Sequence, residues 1–153
     1  MARGDDDLGI VDALAQLSFA VQGMLARRAS AYDLSMIQTR LLGVLRDREP
    51  TMQELARLLG LDKSSVSGLV DRAQRRGLVQ RTPALDDRRA VRVKLTSSGR
   101  RIVDTVATRF SSDIASVTGS LSAPDTKQLS RLATRVVREY DGSAPVTDGQ
   151  SRP

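Results

Sequence analysis

Small hydroxylated residues crowd one short stretch of this chain. From Asp62 to Gly77 it reads D-K-S-S-V-S-G-L-V-D-R-A-Q-R-R-G, and at helical period two faces separate. Val66, Leu69, Val70 and Ala73 fall at i, i+3, i+4 and i+7 and make one apolar stripe. The opposite face carries Ser64, Gly68, Asp71 and Arg75, flanked by Ser65, Ser67 and Arg72, with Lys63 at its start. An ordinary exposed face favours Glu, Lys, Gln or Ala, and a mid-helix glycine costs about 1 kcal/mol relative to alanine. Small residues let a helix approach another surface closely, and serine hydroxyls reach phosphate oxygens or base edges. Taken alone, the face is equally consistent with a solvated surface built from poor helix formers.

The neighbouring elements decide how such a face is held. Asp62 is a good N-cap and Gly77 a natural stop after Arg76. Upstream, Thr51 and Glu54 fit a capping box, and Met52, Leu55, Leu58 and Leu59 are expected to line one side of a short helix ending at Gly60. Only Gly60-Leu61 separates that helix from Asp62, the spacing of a helix-turn-helix, whose second helix enters a major groove. After Gly77 the period falls to two. Leu78 to Arg81 reads as a short strand, and Ala90 to Leu95 alternates Val91, Val93 and Leu95 with Arg92 and Lys94, one face buried and one wet and basic. The link T-P-A-L-D-D-R-R reads as a hairpin loop, whose far end presents Arg88 and Arg89 beside the second helix. An arginine there is placed for an adjacent minor groove.

The stretch from about Leu34 to Arg101 resembles the multiple-antibiotic-resistance regulator (MarR) family. The matching pieces are T-x-x-E-L-A, S-S-V-S-x-L-V-D-R, R-R-G-L-V-x-R, D-R-R and the closing L-T-x-x-G. The resemblance implies a mainly α fold with a small β-wing: a winged helix-turn-helix over 35–100, dimerisation helices over 7–34 and 101–140, and disordered ends over 1–6 and 141–153. It implies that Ser64, Ser65 and Ser67 lie in the major groove, with Lys63 and Gly68 on the same surface. Arg72 and Arg75 go to phosphates or bases, Arg89 enters the minor groove, Arg88 goes to phosphate or to a pairing that braces the wing, Arg92 joins the DNA-binding set, and Asp87 steadies the wing through an ion pair. Relatives often carry a longer side chain at the position of Gly68, so one direct reader of base sequence is absent here. The family also implies a small-molecule effector bound where the dimer helices meet the reading unit. Phe19, Arg27, Arg28 and Tyr32 lie near that expected site, although core packing and surface charge explain them equally well.

Composition limits the alternatives. The chain has 153 residues with neither Cys nor His, which excludes disulfides, thiol zinc sites, a cysteine redox sensor and nucleophilic triads that need a histidine base. Metal would need carboxylates alone, and no such cluster shows; no cofactor is expected. No apolar run reaches about 18 residues, and M-A-R-G-D-D-D-L-G lacks the apolar core of a signal peptide, so a cytoplasmic protein that avoids membranes is expected. Residues 50–101 hold 12 Lys and Arg against 5 Asp and Glu, and the remainder 12 against 13. The basic excess therefore lies in the reading unit, as an electrostatic footprint on DNA requires. Of the four aromatic residues none lies there, which argues against single strands held by stacking.

The outer segments read as helices. Asp7 to Ala29 has an apolar stripe through Val11, Leu14, Val21 and Leu25; Ser35 caps a helix over Met36 to Asp47. Another runs over about Ser98 to Thr118, and Ser122-Ala123-Pro124-Asp125 opens a last helix bearing Leu129, Leu132, Val136 and Tyr140. These terminal helices either cap the reading unit or, as the family resemblance implies, pair two copies. A two-fold axis then sets two reading helices about 34 Å apart on a pseudo-palindromic operator. The expected function is a homodimeric, ligand-responsive repressor binding double-stranded DNA. The rival reading is a winged helix that has lost DNA and binds a protein partner; an enzyme finds no support.

Overall fold

The computed structural model describes residues 8–84 and 90–143. Its elements are α1 (Ile10–Ser30), α2 (Met36–Leu45), α3 (Met52–Leu59), α4 (Lys63–Arg75), β1 (Val79–Pro83), β2 (Val91–Leu95), α5 (Ser97–Thr118) and α6 (Ala123–Ser143). The chain divides into two compact units, Met1–Ile114 and Ala115–Pro153. The mainly α architecture with one two-stranded antiparallel sheet is the expected fold class.

In the first unit the core forms where α2, α3, α4 and the sheet converge. Leu41, Leu42 and Leu45 of α2, Leu55 of α3, and Val66, Leu69 and Val70 of α4 are almost completely removed from solvent. Each such side chain contributes about 1.5–3 kcal/mol of transfer free energy relative to exposure. The apolar stripe of α4 therefore fixes which face of that helix looks out. Leu58, expected on the inner side of α3, is 38 % exposed: the eight-residue helix makes little more than two turns, with Leu55 and Leu59 buried and Met52 and Ala56 packed against the core.

The caps follow the sequence closely. The Thr51 hydroxyl accepts from the Glu54 amide at 3.2 Å while the Glu54 carboxylate accepts from the Thr51 amide at 2.7 Å. Ser35 and Gln38 make the same reciprocal pair at the start of α2. Those bonds hold the Glu54 carboxyl below its ordinary range, the Thr51 amide contributing most. We expect Thr51→Ala to cost about 1 kcal/mol in chemical unfolding without changing the fold.

The wing is tied to the helix-turn-helix more tightly than a hairpin alone would be. β1 and β2 pair from Val79–Leu95 to Pro83–Val91, so β1 runs two residues past the expected strand end at Arg81. The Val93 amide donates to the Pro50 carbonyl at 2.9 Å, and Thr51 bridges Arg92, so the segment before α3 lies along the free edge of β2. Val91, expected on the buried face, is 38 % exposed because it lies at the outer end of the ladder, beyond the core.

The turn into β1 and the start of α5 interlock. Gly77 has φ +69°, a left-handed conformation that closes α4 through Leu78 N–H to Ala73 C=O at 3.0 Å. Thr96 donates its hydroxyl to the Gly77 carbonyl at 2.6 Å and its amide to the Leu78 carbonyl at 3.0 Å. The same hydroxyl accepts from the Gly99 amide at 3.0 Å and caps α5. Gly99 lies against the Leu78 backbone so closely that a Cβ there would stand 2.0 Å from the Leu78 oxygen.

α2 ends at Leu45, two residues before the expected end at Asp47. α1 begins at Ile10, and Ile10, Val11, Leu14 and Leu17 are all exposed; its last turns, from Val21 to Arg28, are half-buried except at Gln22 and Arg27. In the second unit, Ser122 caps α6, accepting from the Asp125 amide at 3.3 Å, and α6 carries Leu129, Leu132, Val136 and Tyr140 exposed. Of the ends expected to be loose, 1–6 and 141–153, residues 1–6 and 144–153 are not among those described, whereas 141–143 continue α6 to its end at Ser143. No helix among the described residues is long and apolar enough to cross a membrane.

Candidate nucleic-acid interface

The outer face of α4 is presented as the periodicity requires. With Val66, Leu69, Val70 and Ala73 buried, Lys63, Ser64, Ser65, Arg72 and Arg75 are exposed, and Ser67, Gly68 and Asp71 are partly so. A groove of about 350 Å³ runs beside Ser64, Ser65, Gly68 and Arg72, closed on the other side by Ile37 of α2 and Leu61 of the turn. Gly68 opens this groove: the nearest neighbour to a Cβ there would be Arg72 Nη1 at 3.4 Å.

Several polar groups on this surface are already engaged within the protein. Asp62, the N-cap, accepts from the Ser65 amide at 2.9 Å, from Ser64 Oγ at 2.7 Å and from Ser65 Oγ at 2.6 Å. The Ser65 hydroxyl and amide, followed by the Ser64 hydroxyl, hold its carboxyl well below the usual carboxylate range, so it is ionised at neutral pH. Asp71, expected to face outward, instead pairs with Arg81 of β1 at 2.7 Å, and Arg81 also donates to Gln74 Oε1 at 2.7 Å. This pair bridges α4 to the wing. Arg76 donates to the carbonyls of Tyr32 and Asp33 at 2.7 and 2.9 Å, tying the end of α4 to the turn before α2. Arg92 donates to the Glu49 carbonyl at 2.9 Å at the inner edge of the wing.

Of the residues the sequence singled out, Lys63, Ser64, Ser65, Ser67, Gly68, Arg72 and Arg75 thus come together on one surface. Asp87, Arg88 and Arg89 lie outside the described residues. Sequence reasoning missed the bonds of Asp62 to the serine hydroxyls and of Asp71 to the wing, although Asp62 at i−2 and i−3 from two serines is a visible signal.

A family model described as MarR family matches residues 32–90. A protein of known structure from Bacillus stearothermophilus, a MarR family protein, superposes over 86 % of this chain and 92 % of its own, with a TM-score of 0.78 and 25 % identity. Residues 32–90 thus match the MarR family, and the fold of the chain is similar to that of a MarR family protein over most of its length. Wild-type MarR of Escherichia coli, in its apo form, is likewise similar, with a TM-score of 0.70 and 25 % identity over 86 % of this chain and 98 % of that one. The HTH-type transcriptional repressor NicR of Pseudomonas putida is 42 % identical over 72 residues, 46 % of each chain. The chain thus aligns with less than half the length of the curated relatives it matches.

A second feature lies behind the helix-turn-helix. A cavity of about 190 Å³ opens between α1, α2 and α5, walled by Leu25, Leu34, Leu42, Ile102, Val106 and Phe110, with Thr39 and Arg46 also on its lining. The Thr39 hydroxyl donates to the Ser35 carbonyl and Arg46 pairs with Asp47, which leaves the wall mainly apolar in character. The residues expected near an effector stand outside the lining of this cavity. Phe19 is 73 % exposed on α1, Arg27 is exposed, and Tyr32 packs against the core. Arg28 makes a two-pronged pair with Asp113 of α5 at 2.7 and 2.5 Å, which lowers the Asp113 carboxyl below its ordinary range. None of the four lines the cavity.

Proposed function

We propose that this protein is a homodimeric, sequence-specific repressor that grips double-stranded DNA with α4 in the major groove and the wing in the adjacent minor groove. The observation that carries the reading is the outer face of α4. It is largely exposed among the described residues, small-residued near its N-terminus and basic at Lys63, Arg72 and Arg75, on a unit whose basic excess the rest of the chain does not share. Lys and Arg neutralise phosphates and fix register; the groove side of the helix reads bases. The exposed apolar stripes of α1 and α6 support pairing with a second copy, since contiguous apolar patches rimmed by polar residues mark interaction surfaces. The repressor assignment draws on the name of NicR.

An apolar effector in the cavity between α1, α2 and α5 would bias the helix that pairs protomers against the helices that carry α4, and so the spacing of the two reading helices. Such an effector acts by shifting populations, and only to the extent that it binds one spacing better than the other. A cytoplasmic location follows from the function. Selection of bound duplexes from fragmented genomic DNA tests the reading: a pseudo-palindrome with half-sites about one helical turn apart is expected, and recovery of no duplex, or of unrelated single sites, contradicts it. On the recovered operator we expect Arg89→Ala to weaken binding at least about tenfold without altering the oligomeric state in sedimentation. Unchanged affinity would remove the wing tip from the mechanism.

A further inference from the structure

We propose that Asp62 sets the hydrogen-bonding polarity of the reading helix, so that Ser64 and Ser65 act as acceptors and recognise the exocyclic amino group of adenine or cytosine. This inference rests on the DNA-binding reading above. An ionised carboxylate has no proton to give, so in its bonds of 2.7 and 2.6 Å to the two hydroxyls the serines are the donors. Each hydroxyl has one proton, and Asp62 holds both. What the serine oxygens turn outward is lone pairs.

That orientation excludes most of the duplex surface. Phosphate oxygens, guanine O6 and N7, and thymine O4 are all acceptors and find no donor on either serine hydroxyl. The Asp62 charge adds repulsion toward phosphate. In the major groove the available donors are adenine N6 and cytosine N4. Gly68, one turn beyond Ser64, lacks the side chain that would fill the groove, so a base edge has access to the Ser64 oxygen. Lys63, Arg72 and Arg75 supply the donors for phosphate. Because the hydroxyls keep the carboxyl ionised well below neutrality, the polarity holds throughout the physiological pH range.

The test uses the full chain and the selected operator. Each adenine is replaced in turn by purine lacking the 6-amino group, and each cytosine by 2-pyrimidinone lacking the 4-amino group. At one or two positions per half-site the replacement is expected to weaken binding about 3–10-fold. Asp62→Asn keeps a good N-cap but replaces a carboxylate oxygen with an amide that donates. In that variant the penalty should fall below about twofold, and repeated selection should admit guanine or thymine at the same positions. Ser64→Ala and Ser65→Ala, which leave Asp62 intact, should each abolish the penalty at one position. No penalty at any position, or the same penalty and base preference in Asp62→Asn and both alanine variants, overturns the proposal. If the wild-type protein binds duplexes with a steep salt dependence and ignores the analogues, the polarity assignment alone falls. If it binds no duplex at low salt, the DNA-binding reading falls with it.

Discussion

Gly99→Ala is expected to destabilise the protein by about 3 kcal/mol or more, a large share of the 5–15 kcal/mol that holds a typical domain folded. The added Cβ would meet the Leu78 carbonyl oxygen at 2.0 Å and its carbon at 2.9 Å. Both are backbone atoms, so no side chain can swing away. Relief requires moving the first turn of α5 or the start of β1. Either movement disturbs the Thr96 bonds to Gly77 and Leu78 that anchor the wing and the Gly99 bond to Thr96 that caps α5. At this chain length the midpoint of thermal unfolding should fall by roughly 10 °C. Gly43 supplies the control: it lies in α2 with nothing within 4 Å of the point a Cβ would occupy, and Gly43→Ala should raise stability slightly through helix propensity. Equal, small effects at both positions would contradict the close approach.

The second large effect is on binding. The double variant Arg72→Glu, Arg75→Glu reverses two charges per protomer on the exposed basic part of α4, and we expect operator affinity at physiological salt to fall about 100-fold or more. Both side chains are exposed and lie opposite the buried stripe, so far-ultraviolet circular dichroism and the unfolding midpoint should change little. Loss should extend to non-operator duplexes, because phosphate contacts are indifferent to sequence. A double variant that binds as well as wild type would detach this helix from the nucleic acid. One that binds non-operator DNA normally but the operator poorly would assign the two arginines to bases.

Much of the architecture was legible because it is locally determined. The inward face of α4 needs only four residues at helical spacing, and the Thr51–Glu54 and Ser35–Gln38 boxes span three residues each. What the sequence concealed is contact between distant segments. L-T-x-x-G can be matched as a pattern, yet the reason for its glycine is the Leu78 backbone, 21 residues earlier in the chain. Pro50 reads as a helix breaker; its carbonyl also extends the sheet. Asp71 shares a helical face with Ser64 and Arg75, and only the fold reveals that Arg81 claims it. In the candidate site the periodicity located the exposed face of α4, but it could not say which way each hydroxyl donates. The cavity was least legible: apolar residues at helical spacing say that helices pack, not where they leave a space, and its walls are formed by Leu25, Leu42, Val106 and Phe110.

The central claim is that two copies of one basic helical surface meet the phosphates of the same duplex. Its most direct test is the affinity of the wild-type protein for a selected operator, titrated from about 50 to 200 mM monovalent salt. With three cationic side chains on each of two reading helices, the plot of log affinity against log salt should fall with a slope of about −5. A slope near zero, or no binding at the lowest salt, would contradict the account.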